Sequence, residues 1–178
     1  MTINYLRLIL LAMWLGAAVF FSVVVAPVAF TVLDHVHSMN GRESAGSIVG
    51  LCLAVVNLSG FVISLLALIL GVFGFRKTVG SVIEAASLLI TAVATGIGHW
   101  VIRAQLQALK SGFTVPIDLI PKDDPRRIAF DTLHGYSVKA LGVAMIAALI
   151  GLVFITYRLR GNAQLVSVAT GRDNRGNH

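Results

Sequence analysis

The 178-residue sequence is poor in charge, with only 12% Asp, Glu, Lys and Arg against 57% apolar residues. So few polar residues cannot coat a water-soluble globule of this size, which excludes an ordinary soluble domain. Cys52 is the single cysteine, so an internal disulfide and a cluster of thiolate ligands are excluded as well. No stretch alternates apolar and polar residues as a membrane β-barrel strand does.

What is present is four long uncharged runs, at 8–33, 44–75, 85–102 and 140–157. Each reaches about the 18 to 20 residues that a helix needs to cross a hydrocarbon core of about 30 Å. The sequence therefore predicts an all-α fold, a four-helix transmembrane bundle with up-down-up-down order, in one domain over 1–160. The predicted spans are about 5–33, 45–75, 79–103 and 136–158, and we expect residues 161–178 to form a disordered polar tail.

Several residues mark where the predicted helices bend, begin or end. Pro27 removes a backbone donor and predicts a kink in the first helix. Gly112 is the expected end of the third helix, and Asp124 before Pro125 has the order of an N-cap and first helical residue. The third and fourth helices are thus expected to extend beyond the bilayer, with Gly135 as a place where the fourth could divide.

Small residues recur along the second helix with an average spacing of 3.5, the repeat of left-handed helix packing. In a bilayer such residues let helix backbones approach closely. We therefore predict that the second helix is central. The residues assigned to helix packing are Gly46, Gly50, Gly60 and Gly71, together with Pro27.

The third helix has a polar face that carries an acidic residue, Glu84. An acid inside a span is unfavourable and is typical of a proton or ion pathway. The predicted polar or ion site consists of Glu84, Thr91, Thr95 and, from the second helix, Asn57. Two alternatives stay open: the hydroxyls bond to their own backbone at i−4, and Glu84 pairs with Arg7 or Arg158.

Histidines collect at the opposite end of the predicted bundle. Antiparallel threading places them on one side of the membrane with Asp34 and Asp131. Imidazole near carboxylate suits a first-row metal or haem iron, and it also suits a proton-linked role. Their spacing matches no metal motif, so ordinary interfacial polar caps, with no cofactor, are the simplest interpretation. The candidate metal or haem ligands are His35, His37, His99 and His134.

The formal charge of +6 comes from basic residues at helix ends and in loops. They favour membrane lipid headgroups as partners and argue against nucleic acid. Lys and Arg divide equally between the two predicted sides. The basic turn at Arg76 and Lys77 favours cytoplasmic termini in a bacterial inner membrane.

Three blocks of sequence resemble the transmembrane protein 205-like family. They are Trp14-Leu-Gly-Ala-Ala-Val-Phe-Phe-Ser-Val-Val-Val-Ala-Pro27, Ala45-Gly-Ser-Ile-Val-Gly50 and Arg127-Ile-Ala-Phe-Asp-Thr-Leu-His-Gly-Tyr-Ser137. The resemblance implies a compact four-span membrane protein with no established activity in bacteria, and a eukaryotic relative linked to platinum-drug resistance. By position it draws attention to Pro27, Gly46, Gly50, His134 and Ser137.

No phosphate loop, nucleophile elbow or Ser-His-Asp order occurs, so we expect no enzyme chemistry. The first hypothesis is a non-enzymatic membrane protein that acts alone or as an accessory subunit of a respiratory or photosynthetic complex. As partners we expect further copies of the chain, in a homo-oligomer, or a larger membrane complex. The second is a small transporter or metal-handling protein that uses Glu84 and the histidine end. The third is a haem or quinone redox protein with His99 and His134 as ligands.

Overall fold

The fold is helical throughout the part that a computed structural model describes, residues 2–36, 41–72, 78–113, 115 and 117–173. These residues form no β-strand, which confirms the predicted all-α class. Four helical stretches are long and apolar enough to cross a membrane, as the sequence predicts. They are Ile3–Leu33, Gly41–Gly71, Val79–Ser111 and Pro125–Arg160.

Six α-helices account for these stretches, because short π-helical turns interrupt the first and the third. In chain order the elements are α1 Thr2–Phe20, a π-helical turn Phe21–Val25, α2 Ala26–Val36, α3 Gly41–Val72, α4 Val79–Gly96, a π-helical turn Ile97–Ile102, α5 Arg103–Ser111, a 3₁₀ turn Ile117–Leu119 and α6 Pro125–Asp173. The first π-helical turn lies just before Pro27, where the ring removes one backbone donor. The kink predicted at Pro27 is therefore accompanied by a π-helical turn, in which backbone hydrogen bonds join residues five apart instead of four.

The helix ends follow the capping residues in the sequence. The Thr78 hydroxyl accepts a hydrogen bond from the Ser81 backbone N–H at 3.4 Å, at the start of α4. Asp124 Oδ1 accepts one from the Arg126 N–H at 2.8 Å, at the start of α6. Gly112 follows the last residue of α5. The ends predicted from Asp124 and Gly112 are confirmed, whereas the predicted end of the second span at residue 75 and the basic turn that follows it lie outside the described residues.

The last helix is longer than the sequence predicts. It runs through Gly135 without division and continues to Asp173, 13 residues past the expected boundary at residue 160. Extending an existing helix fixes few dihedral angles per hydrogen bond, and no proline stands in 161–173 to stop it. The helix therefore occupies most of the region in which a disordered tail was expected, while 174–178 lie outside the described residues.

The third membrane-length helix, and not the second, is the most enclosed. Of its most apolar 18 residues, 44% are buried, against 28% for the second helix. The prediction of a central second helix was wrong. Its small residues were the basis of that prediction, but the helix with a buried polar face, α4, has the stronger need for protein on all sides.

Contacts between helices connect residues in opposite chain order. Arg7 and Trp14 of α1 bond to the carbonyls of Ala67 and Val56 of α3, so rising numbers in one helix meet falling numbers in the other. The apolar core of the bundle includes Leu11, Leu88, Ala144, Ala148 and Ile155.

Candidate functional site

A group of three charged side chains, two of them buried, lies at one end of the bundle. We call Arg7, Glu84 and Arg158 the charge cluster. Glu84 Oε1 accepts a hydrogen bond from Arg7 Nη2, and Glu84 Oε2 accepts one from Arg158 Nη1 at 2.8 Å. Arg7 is 1% exposed and Glu84 2% exposed. The cluster therefore joins α1, α4 and α6 through one carboxylate, the pairing that the sequence left open as an alternative.

A backbone carbonyl and a side-chain amide complete the surroundings of Arg7. Its Nε donates to the Ala67 carbonyl at 2.8 Å, and its Nη1 donates to Asn4 Oδ1 at 3.2 Å. A Cβ atom added to Gly71 would lie 2.7 Å from Arg7 Nη2, closer than atoms can pack. Gly71, assigned to helix packing from the sequence, therefore makes room for a guanidinium.

The remaining members of the predicted polar site are bonded locally or lie elsewhere. The Thr91 hydroxyl donates to the Ser87 carbonyl at 2.9 Å, and that of Thr95 donates to the Thr91 carbonyl at 2.7 Å. This is the i−4 bonding expected as the simpler alternative. Asn57 is buried against Gly98, where a Cβ would lie 2.8 Å from its Nδ2. These hydrogen bonds within the helix, and those that Glu84 accepts from the arginines, do not connect Asn57 to Glu84.

A cavity of about 730 Å³ lies toward the other end, between the starts of α3 and α6 and the length of α5. Its apolar lining includes Phe30, Val49, Leu53 and Leu106, and Asn57 and Gly98 also line it. Its charged lining comprises four cations and two acids, which leaves an excess of positive charge. These residues are Arg42, Arg103, Lys110, Arg127, Glu43 and Asp131.

The four cations of the cavity differ in their partners. Arg127 Nε donates to Asp131 Oδ2 at 3.1 Å, and Arg127 Nη1 donates to the Ile117 carbonyl. Arg42 also has a partner. Arg103 and Lys110 form no hydrogen bond or ion pair with any described residue, and Lys110 Nζ has only the ring of Phe130 at 6.0 Å. These two cations are therefore the ones available to a ligand.

The predicted histidine ligands are distributed over different surroundings. His35 is exposed, and its Nδ1 contacts the Thr31 carbonyl of its own helix at 2.6 Å. His99 Nδ1 contacts the Ala54 carbonyl at 3.1 Å, and because a carbonyl only accepts, this nitrogen carries the proton. His134 lines the cavity, which His99 does not, and His37 lies outside the described residues. In the described part of the chain, no three His, Cys, Asp or Glu side chains are grouped as a metal site requires.

The glycines assigned to helix packing lie in two kinds of surroundings. Gly46 and Gly50 line the cavity, and a Cβ at Gly50 would meet nothing within 4 Å. A Cβ at Gly60 would lie 2.6 Å from the Trp14 ring, whose Nε1 donates to the Val56 carbonyl at 2.9 Å. The average spacing of 3.5 thus marks positions of α3 that face either a large side chain of another helix or open space, because a small residue is compatible with both surroundings.

Comparison with known proteins identifies a family. Residues 9–112 match the family described as Domain of unknown function (DUF4149). The chain belongs to this family. The DUF4149 match covers α3, α4 and α5 with Glu84, Arg103 and Lys110, and it ends before α6. It does not confirm the finer assignment to the transmembrane protein 205-like family. Neither the curated proteins nor the solved structures include one that matches the chain.

Sequence reasoning missed the cavity and its two available cations. A signal existed in Arg103 and Lys110, which are seven residues apart on the least apolar part of the third predicted helix. Seven residues are almost two helical turns, so both lie on one face. What the sequence could not show is that the facing helices leave a space there.

Proposed function

We propose that this chain is a non-enzymatic integral membrane protein that holds a small molecule in the cavity beside α5. The observation that carries the proposal is the cavity itself, about 730 Å³ with apolar walls and a few charged groups. Binding sites for small molecules measure about 300–1,000 Å³ and have this mixed lining. The charge cluster, in contrast, offers no comparable space, since both oxygens of Glu84 are occupied by guanidinium groups.

The position of the cavity relative to the membrane follows from up-down-up-down crossing. That order places the charge cluster near the face with both chain termini, and the cavity near the opposite face. With cytoplasmic termini in a bacterial inner membrane, the cavity opens away from the cytoplasm. The opposite chain order of the contacts between α1 and α3 supports the crossing order.

Filling the cavity tests the proposal. Gly50→Phe adds a large side chain at a cavity-lining position where an added Cβ meets nothing within 4 Å. Gly142→Phe is the matched control, because Gly142 also has open space and does not line the cavity. Each protein is purified in mild detergent, and the small molecules extracted from it are identified and counted by mass spectrometry.

We expect the wild type and Gly142→Phe to retain the same molecule at close to one copy per binding site. Gly50→Phe should lose it while keeping its helical circular dichroism. Equal retention by Gly50→Phe, or no retained molecule in the wild type above the level in empty micelles, would contradict the proposal.

The more specific roles suggested by the sequence stay predictions. No contact among the described residues favours an accessory-subunit role, transport, metal handling or a haem or quinone centre over cavity binding. Isolation in mild detergent tests the subunit role, because a stable partner would co-purify. An absorption spectrum tests the haem hypothesis through the Soret band, and metal content before and after His99→Ala and His134→Ala tests metal handling.

A further inference from the structure

The face of α5 that lines the cavity has a cation at each end. Arg103 is its first residue and Lys110 lies near its last, with Leu106 and Gln107 between them on the same face. Seven residues span about 10 Å along a helix axis. The two charges therefore flank one wall of the cavity, and each is half-buried.

Lys110 extends across the cavity toward the other helices. Its Nζ lies 6.0 Å from the centre of the Phe130 ring of α6, and 3.8 Å from where a Cβ of Gly46 in α3 would stand. A half-buried ammonium group is stabilised by hydrogen-bond acceptors or by an opposite charge. The described residues supply neither to its side chain beyond the Phe130 ring, so a ligand with negative charge would satisfy it.

The acids of the cavity do not neutralise this pair. Asp131 is bonded to Arg127, and the remaining acid, Glu43, lies in the first turn of α3. The N-terminus of that helix also contributes partial positive charge on the same side. A cationic ligand would therefore meet net repulsion, whereas an anion gains from both Arg103 and Lys110.

The opposite wall is suited to hydrocarbon. Phe30 of α2 and Val49 and Leu53 of α3 line the cavity, and all three are at least partly buried. A fully polar anion such as free phosphate would leave these side chains without a partner. A molecule with one anionic group and an apolar chain satisfies both walls.

From these walls we infer that the ligand is an anionic amphiphile whose phosphate or carboxylate group binds Arg103 and Lys110. The inference rests on the proposed function and adds the chemical class of the ligand to it. Arg103 contributes a planar pair of donors to an oxyanion, and Lys110 contributes a point charge. The apolar chain lies against α2 and α3.

The test removes the two charges without filling the cavity. The variant is Arg103→Gln with Lys110→Gln, and the matched control is Lys122→Gln with Lys139→Gln. The control loses the same charge from two exposed lysines that do not line the cavity. Binding is measured by native mass spectrometry in mild detergent, with dioleoyl phosphatidylglycerol, oleate, dioleoyl phosphatidylcholine and inorganic phosphate as probes.

For the wild type and the control variant, we expect at least one of the two anionic amphiphiles to bind more tightly than phosphatidylcholine. The Arg103 and Lys110 variant should bind it at least about tenfold more weakly, because a hydrogen bond to a charged group contributes that much or more. The difference between phosphatidylglycerol and oleate identifies the headgroup as phosphate or carboxylate.

Two outcomes would overturn the inference. One is equal binding of the anionic amphiphile by both double variants, and the other is saturation of the site by inorganic phosphate in the absence of an amphiphile. Neither depends on the cavity-filling test. If Gly50→Phe loses its retained molecule while the charge variant keeps it, the cavity binds a ligand of another class, and only the anionic assignment fails.

Discussion

Glu84 is the residue whose neutralisation should most affect the stability of the bundle. Glu84→Gln keeps the side-chain volume and one acceptor oxygen but removes the charge that Arg7 and Arg158 share. The buried guanidinium group of Arg7 would then be left without a counter-ion, and Arg158 would lose its ion pair with Glu84. We expect the variant to fold less stably than the wild type at neutral pH.

The exposure of the two arginines determines the magnitude. Arg7 is 1% exposed, and removing one partner of a buried ion pair costs about 3–5 kcal/mol. The Arg158 side chain is 19% exposed, so water can solvate it and its loss of Glu84 adds at most about 1 kcal/mol. Since Gln retains one acceptor, we expect a loss of about 3 kcal/mol in the free energy of unfolding. Arg158→Gln, which leaves Arg7 and Glu84 paired, should cost about 1 kcal/mol or less.

Reversible unfolding by sodium dodecyl sulfate in mixed micelles, followed by circular dichroism, measures both variants. A third variant, Arg7→Met with Glu84→Met and Arg158→Met, serves as the control. Replacing an entire buried ion cluster by apolar residues is often neutral or stabilising. The reasoning fails if Glu84→Gln and Arg158→Gln unfold at the same detergent fraction, or if the triple variant is the least stable of the three.

Two further perturbations test other parts of the fold. Gly60→Ala should cost about 1–3 kcal/mol of stability, because its Cβ would overlap the Trp14 ring, whereas Gly50→Ala should be neutral or stabilising by up to about 1 kcal/mol. The same unfolding assay compares them, and equal stability would exclude a tight contact at Gly60. The side-chain hydrogen bond from Arg126 lowers the pKa of Asp124 in the folded protein. The start of α6 should therefore be most stable above the unfolded pKa of about 3.9. It should lose that stabilisation as the pH falls through the lower pKa of the folded state. Hydrogen exchange of the Arg126 amide between pH 2 and pH 6, expressed as protection relative to the intrinsic exchange rate at each pH, measures this. Asp124→Asn is the variant that should remove the pH dependence of that protection.

The bundle was predictable because its determinants are local in the sequence. Four apolar runs specify four helices, and Asp124 and Gly112 specify ends by capping chemistry that involves only neighbouring residues. The partners of Glu84 were also within reach, since antiparallel threading brings Arg7 and Arg158 to its level. The extension of α6 could not be predicted, because 161–173 does not resemble a membrane span. No proline in this segment ends the helix either.

The cavity depends on information that no single segment contains. Gly46 and Gly50 have the spacing of helix packing, and only the separation of α3 from its neighbours shows that they adjoin open space. The same holds for the histidines. Threading predicts a common side for them, but the directions of His99 and His134 depend on helix rotation. The π-helical turn that contains His99 changes the rotation of its helix.

Glycines that receive a side chain impose a constraint that acts across helices. At Gly71 any larger residue would occupy the position of the Arg7 guanidinium, and at Gly60 it would occupy that of the Trp14 indole. In related chains these positions should therefore change in pairs, so that a bulkier residue at one site accompanies a shorter one at the other. If a related chain keeps the glycine although the facing residue is shorter, the space between the two helices must have another role in that chain.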